Sequence, residues 1–310
     1  MGRFITFLTR EEPWSGKAMS TANLIAGLNA IGNPAIALDC TNWKRDFRLK
    51  LFSQSKWYAV TCLENLDLLK CVPVAKRVAW IRQNPVTRPE PFALESGVHQ
   101  WIVTSEHMRA KTQSSFDRGA VLHEAIILPD ASEVEAVDPE SRQGLLFVGR
   151  VERSKGLSLL LNMMADLPRT PEFRLTIVGP SSRDVWGDIN ARRIHDQVLY
   201  ARQKDPKPYY LKAKWLIAPC PHEPFGMPVV EALAHGCTPI AVKGSGGPDE
   251  TLADTPYLID GIPDRFASAV LNRRPLTCAK ALAMAEPYGH LAAAKKLVKI
   301  LEDSTRGQND

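Results

Sequence analysis

The sequence predicts an α/β protein of two domains. Short apolar runs such as residues 4–9 and 145–148 stop at glycine- or proline-containing turns, and stretches with apolar residues at helical spacing follow them. A chain of 310 residues is also longer than one hydrophobic core commonly organises. Residues 129–143, rich in Asp, Glu and Ser, read as the linker, so the expected domains are 1–140 and 141–286, with a closing helix at 287–304.

In the first half, residues 4–9 form a strand that ends in the polar turn Arg10-Glu11-Glu12-Pro13-Trp14-Ser15-Gly16-Lys17. A helix follows from about Ala18 to Ala30 and stops at Gly32. Gly16-Lys17 is not a phosphate-binding P-loop: Glu11 stands where the first glycine belongs, and Ala18 replaces the Ser or Thr. Further strands are expected at 35–40, 57–62, 77–81 and 101–104; Ser105 caps a helix starting at Glu106, and 120–128 is the last extended segment. Residues 42–52 mix Trp43, Phe47 and Phe52 with four basic residues. Two readings stand there, a solvated helix with its aromatics turned inward, or a grip on a membrane surface or polynucleotide.

The second half opens with a strand at 145–148, after which Gly149 lets the chain turn and Arg150 emerges at the strand's carboxyl end, where open α/β sheets place ligands. Lys155-Gly156 precedes a helix whose Leu157, Leu160, Leu161 and Met164 are core. Strands are expected at 173–178 and 196–200, and Pro208-Tyr209-Tyr210 opens a helical turn. A strand at 257–259, a helix at 263–271 and an amphipathic helix at 291–301 complete the chain; Leu291, Ala294, Leu297, Val298 and Leu301 share one face of the last.

Between these lies the most informative stretch, residues 219–250. A buried parallel strand ends at Pro219, Pro224-Phe225-Gly226 makes a turn, and Pro228 sits in the first turn of a helix that Gly236 closes. A second strand, 239–242, leads into Gly244-Ser245-Gly246-Gly247 and the acid Glu250. Two successive βα turns thus aim backbone N–H groups at one sheet edge, and both carry carboxylates. That combination suits a ligand with a phosphate end and a hydroxyl-rich end.

Glu223 and Glu231, in EPFGMPVVE, resemble the E-x7-E signature of retaining GT-B glycosyltransferases, closest to family 4 (glycosyl transferases group 1). Gly246-Gly247-Pro248-Asp249-Glu250 is similar to that family's GGxxE turn, and Leu146-Phe147-Val148-Gly149-Arg150 with Lys155-Gly156 to its FVGR…KG segment. The resemblance is good over 144–260 and loose over the first half. It implies two Rossmann-like domains facing across a cleft, with the terminal helix crossing back onto the first. It implies a hexosyltransferase that is metal-independent and needs no cofactor beyond its nucleotide-sugar substrate, a UDP- or GDP-sugar.

In that reading Arg150 and Lys155 neutralise the leaving diphosphate, helped by the N–H groups of Gly226 and Met227. Glu231 accepts from ribose hydroxyls, and Glu223 holds hydroxyls of the transferred sugar. Glu250 orients the Gly246–Gly247 turn or meets the ribose. Gly16 is a donor-side candidate and Lys17, Arg82 and Asn84 are acceptor-side ones. One departure stands out: the middle strand of the first half reads Ala79-Trp80-Ile81-Arg82-Gln83-Asn84-Pro85, without the histidine many members carry there. Arg82, Gln83 or Asn84 replace it, with His99 and His107 as the other options. The acceptor is open: a glycan, a lipid, DNA or a protein, with peripheral membrane contact a further option. A non-catalytic nucleotide-sugar-binding subunit and a viral DNA- or protein-modifying glycosyltransferase are the alternatives.

Composition narrows the classes. The net charge is +5, and the excess falls entirely on residues 141–310, too mild a balance to demand nucleic acid. No run approaches the ~20 apolar residues of a membrane-spanning helix. The six cysteines show no CxxC spacing, as in a reduced cytoplasmic protein, and the seven histidines are scattered. No Asp-x-Asp pair sits where it would hold a metal, and no G-x-G-x-x-G follows a strand, which argues against a dinucleotide-dependent dehydrogenase.

Overall fold

The computed structural model describes residues 3–11, 15–41, 55–61, 63–82, 97–112, 119–137, 141–181, 185–202 and 205–306. The basic aromatic segment 42–52 and Gln83, Asn84 and Pro85 lie outside them.

In chain order the elements are β1 (Arg3–Thr9), α1 (Gly16–Ala30), β2 (Ala35–Asp39), β3 (Ser55–Val60), β4 (Arg77–Ile81), β5 (Gln100–Val103), α2 (Glu106–Thr112), β6 (Ala120–Val121) and α3 (Ala131–Glu135). Then follow β7 (Leu145–Val148), α4 (Leu157–Ala165), β8 (Leu175–Val178), α5 (Val185–Ala191), β9 (Val198–Ala201), α6 (Lys207–Lys212), β10 (Trp215–Ala218), α7 (Met227–Ala234) and β11 (Thr238–Val242). The chain closes with α8 (Gly247–Thr251), β12 (Leu258–Ile259), α9 (Pro263–Asn272), α10 (Cys278–Ala285) and α11 (His290–Arg306).

The chain forms two compact units, Met1–Ile127 with Tyr288–Asp310, and Leu128–Pro287. Each holds a six-stranded sheet whose strand pairs are all parallel. A parallel sheet is covered on both faces, so its strands read as near-continuous apolar runs. In the first unit alternate residues feed two cores: Trp57, Ala59, Val78, Trp80 and Ile102 belong to one, and Tyr58, Val60, Ala79, Ile81 and Val103 to the other.

The first core includes α1 through Leu24 and Leu28, and α11 through Ala293, Ala294, Leu297 and Leu301. Gly27 makes room for that packing, because a Cβ there would stand 2.2 Å from the carbonyl oxygen of His290. Truncating Leu297 to Ala would leave a cavity at this seam and cost about 2–5 kcal/mol. Leu291, expected on the inward face, is exposed, while Ala293 takes a buried place. The expected helix at Ala18 starts two residues earlier, at Gly16, because Ser15 caps it by accepting from the Ala18 amide at 3.1 Å.

Residues 129–143, read as linker, contain α3 in the second unit. Asp130 caps it, and Val134 is fully buried beneath its polar face. A single inward valine per turn gives too faint a period to find. The extended segment expected at 120–128 is a two-residue strand, followed by an isolated bridge from Ile126 to Gly289.

Strand order decides where each sheet opens. The first runs β2-β1-β3-β4-β5-β6, so its connectivity reverses between β1 and β3. The second runs β12-β11-β10-β7-β8-β9 and reverses between β7 and β10. Crossover connections leave such a switch point in opposite directions and open a crevice at the strands' carboxyl ends.

Candidate active site

The two strands flanking the second switch point carry the residues singled out by sequence. Past β7, Gly149 takes a φ of 142°, open to glycine, and the chain continues through a 3-10 turn (Arg153–Lys155) to Gly156. Gly156 has a φ of 81°, and a Cβ on it would lie 2.1 Å from the Pro219 carbonyl oxygen. The loop after β7 is therefore seated directly on the loop after β10.

Across that contact Lys155 Nζ donates to Glu223 Oε2 at 2.7 Å, with side chains 26% and 19% exposed. Burial by itself would lower the Lys155 pKa, but the attraction and hydrogen bond of Glu223 outweigh it, and the pKa is raised. Arg150 acts in the opposite sense on Lys155, which places its positive charge nearby. Its guanidinium is exposed and donates to Glu152 at 3.0 Å. Cys220 borders the pair; burial and the Glu223 charge push its thiol up to about 11, so it stays protonated.

Glu223 is fixed from behind by the glycine turn. Its amide donates to the Ser245 carbonyl at 2.8 Å, and its own carbonyl accepts from the Gly247 amide at 2.9 Å. A Cβ on Gly247 would stand 2.2 Å from the Phe225 carbonyl oxygen, so the two turns interlock only with glycine there. One expectation needs correction here. Asp249 orients the turn, accepting from the amides of Gly244 at 2.7 Å and Gly246 at 2.8 Å. The Gly246 and Gly247 amides, expected to face the ligand, are thus spent inside the protein. At the start of α7, Gly226 (φ 92°) and Met227 carry no side-chain cap, which leaves that helix end to the backbone.

Glu231, on α7, has a partner of its own. Its Oε2 accepts from the Tyr210 hydroxyl at 2.8 Å. Burial lifts its pKa from 4.5 to about 7, with the Tyr210 hydrogen bond pulling the other way. The structure therefore brings together Lys155, Glu223, Arg150, Gly226 and the glycine turn, and ties Glu231 to a different partner. Tyr210 was invisible to sequence reasoning, since a tyrosine 21 residues upstream of an acid carries no spacing signal. An open cavity of about 490 Å³ lies by Gly144, Leu145, Arg174 and Leu199, at the amino ends of β7 and β8 and away from these side chains.

In the first unit, Gly16 is exposed at the head of α1, and Lys17 follows it on the same turn. Arg82 was expected to be free for an acceptor and is not. It is 4% exposed, donates to Glu124 at 2.9 Å and to Thr21 at 2.8 Å, and lies 4.4 Å over the Trp80 ring. His99 is half-buried and packs against Trp57 with ring centroids 5.3 Å apart.

The family model for glycosyl transferases group 1 matches residues 131–271. The chain is 24% identical over 298 residues to D-inositol 3-phosphate glycosyltransferase of Xylanimonas cellulosilytica, covering 83% of this chain and 70% of that one. To the enzyme of the same name from Streptosporangium roseum it is 26% identical over 256 residues, covering 69% and 58%. The chain thus spans about half the length of some curated relatives. Among solved structures, a glycosyltransferase from Rickettsia africae superimposes with a TM-score of 0.76 at 14% identity, covering 98% of this chain and 99% of that one. Anabaena Alr3699/HepE in complex with UDP and glucose gives 0.71 at 15%, covering 97% and 100%. No helix among the described residues is long and apolar enough to cross a membrane. The match to the glycosyl transferases group 1 model thus falls inside the second of the chain's two Rossmann-like units, and the fold is that of GT-B glycosyltransferases.

Proposed function

We propose that the chain is a retaining, metal-independent glycosyltransferase that takes its sugar from a nucleotide-diphosphate donor. The observation that carries this reading is the Lys155–Glu223 pair, half-buried at the switch point of the second sheet and backed by the interlocked glycine turns. Solved proteins of the same fold hold UDP or UDP-glucose, which supports a donor of that class.

Breaking the bond between sugar and diphosphate builds negative charge on the leaving group. Arg150 and Lys155 answer that charge, with the uncapped start of α7 adding its partial positive end. When the diphosphate takes Lys155, the Glu223 carboxylate is released to accept from sugar hydroxyls, so the pair exchanges one partner each. Glu231 meets the ribose. The acceptor attacks the face the diphosphate vacates, through an oxocarbenium-like state. Among the described residues no three His, Cys, Asp or Glu come together as a metal site. Gly16 and Lys17 remain the candidates in the first unit.

A thermal-shift panel of UDP-, GDP-, ADP- and CMP-sugars tests this. One diphosphate donor should raise the melting temperature, and Lys155→Ala or Glu231→Ala should shrink or abolish the rise at the same donor concentration. Variants that respond like the parent would remove the site assignment. A second reading, a nucleotide-sugar-binding subunit without catalysis of its own, draws on the occupation of Arg82 by Glu124. Slow hydrolysis of the stabilising donor by the isolated chain would exclude it. D-inositol 3-phosphate, the compound in the curated relatives' names, is the first acceptor to try.

A further inference from the structure

We infer that Tyr210 is the positioning residue for Glu231: its hydroxyl holds one carboxyl oxygen so that the other is presented to the ribose of the donor. The inference rests on the nucleotide-sugar reading above and deepens it.

Tyr210 is 1% exposed and is held at three points. Its carbonyl accepts from Arg142 Nη1 at 3.1 Å. Its ring stacks on His235, centroids 5.5 Å apart and planes within 20°. Its hydroxyl donates to Glu231 Oε2. His235 is itself set by Glu231, whose backbone carbonyl accepts from Nδ1 at 2.7 Å. The far oxygen, Oε1, takes no hydrogen bond from the described residues.

Stability alone does not call for this arrangement. Phenylalanine would keep the stack and the volume, and an apolar residue in place of Glu231 would spare the cost of burying a carboxyl. What the hydroxyl adds is direction: a carboxyl that could rotate freely in its site is fixed with one oxygen outward. It also favours the ionised form, the one that accepts from two hydroxyls at once. The other charged and titratable groups around it are Asp205 just before α6, Lys207 at its start, Glu133 of α3, Arg142, His235 and Cys237.

Titration calorimetry with UDP, GDP and ADP first identifies the diphosphate that the chain binds. That nucleotide and its 2′-deoxy analogue are then compared on the parent and Tyr210→Phe at pH 6, 7 and 8. We expect the parent to prefer the ribonucleotide by about tenfold, the worth of a hydrogen bond to a charged group. Tyr210→Phe should narrow that ratio to about twofold and move the loss of binding to higher pH, because the ring without its hydroxyl leaves Glu231 protonated further up the scale. A melting temperature close to the parent's shows that the variant is folded. The parent offers a reading independent of that variant: its ribose preference should fade as the pH falls below about 7. Equal weakening of both nucleotides, or an unchanged ratio, would assign Tyr210 a structural role and overturn the inference. A parent that binds without ribose preference would overturn it while leaving the proposed function intact. No binding of any diphosphate would bring down the function first, and this inference with it.

Discussion

Two ion pairs sit just past the carboxyl ends of parallel strands, one in each unit, and they differ in one respect. The side chains of Arg82 and Glu124 are 0% and 5% exposed, and Thr21 and Trp80 flank the guanidinium. Lys155 and Glu223 are 26% and 19% exposed, and each has one neighbour that opposes or competes with the pairing, Arg150 for the lysine and Cys220 for the acid. A pair sealed from water cannot exchange partners without leaving a bare buried charge, so it holds the chain together. A pair that water reaches loses little by trading one partner for a ligand. Position at a sheet's carboxyl end is therefore not enough to mark a site; the accessibility of the charge decides.

The comparison breaks most sharply at the sealed pair. Glu124→Ala leaves Arg82 buried and unpaired and should cost about 3–5 kcal/mol in urea unfolding. The same treatment of the open pair, Glu223→Ala, should cost no more than about 1 kcal/mol. Equal losses would erase the distinction drawn here.

Glu231→Gln ranks next. A carboxyl whose pKa rises from 4.5 unfolded to about 7 folded stabilises the protein below the lower value and loses that contribution as the pH climbs through the higher one. The variant should therefore gain on the parent between these limits, by up to roughly 3 kcal/mol, while donor binding weakens. Melting temperatures across pH 4 to 8 read the first effect, and calorimetry the second.

Lys155→Ala should weaken donor binding by ten- to a hundredfold, about 1.5–3 kcal/mol for a charge-assisted contact to phosphate, with little change in melting temperature. The smallest effect belongs to Arg150→Ala. Its link to Glu152 is 65% exposed at the arginine and adds less than about 1 kcal/mol to stability. Its loss should flatten the salt dependence of donor binding, measured from 50 to 300 mM salt.

Chain chemistry by itself determined the alternation of strand and helix and the glycine turns after β7 and β10, and resemblance to a known signature pointed to Arg150, Lys155, Glu223 and Glu231. Each is a local statement: an apolar run, a glycine where φ must be positive, an acid eight positions from another. Tertiary structure alone decided who pairs with whom. Arg82 meets Glu124 across 42 residues, Tyr210 meets Glu231 across 21, and Lys155 meets Glu223 across 68. Asp249, three residues past Gly246, keeps the glycine turn because its short side chain reaches two amides at once. Periodicity along a chain records which residues are buried. Strand order and the interlocking of backbone turns determine which of them are buried together.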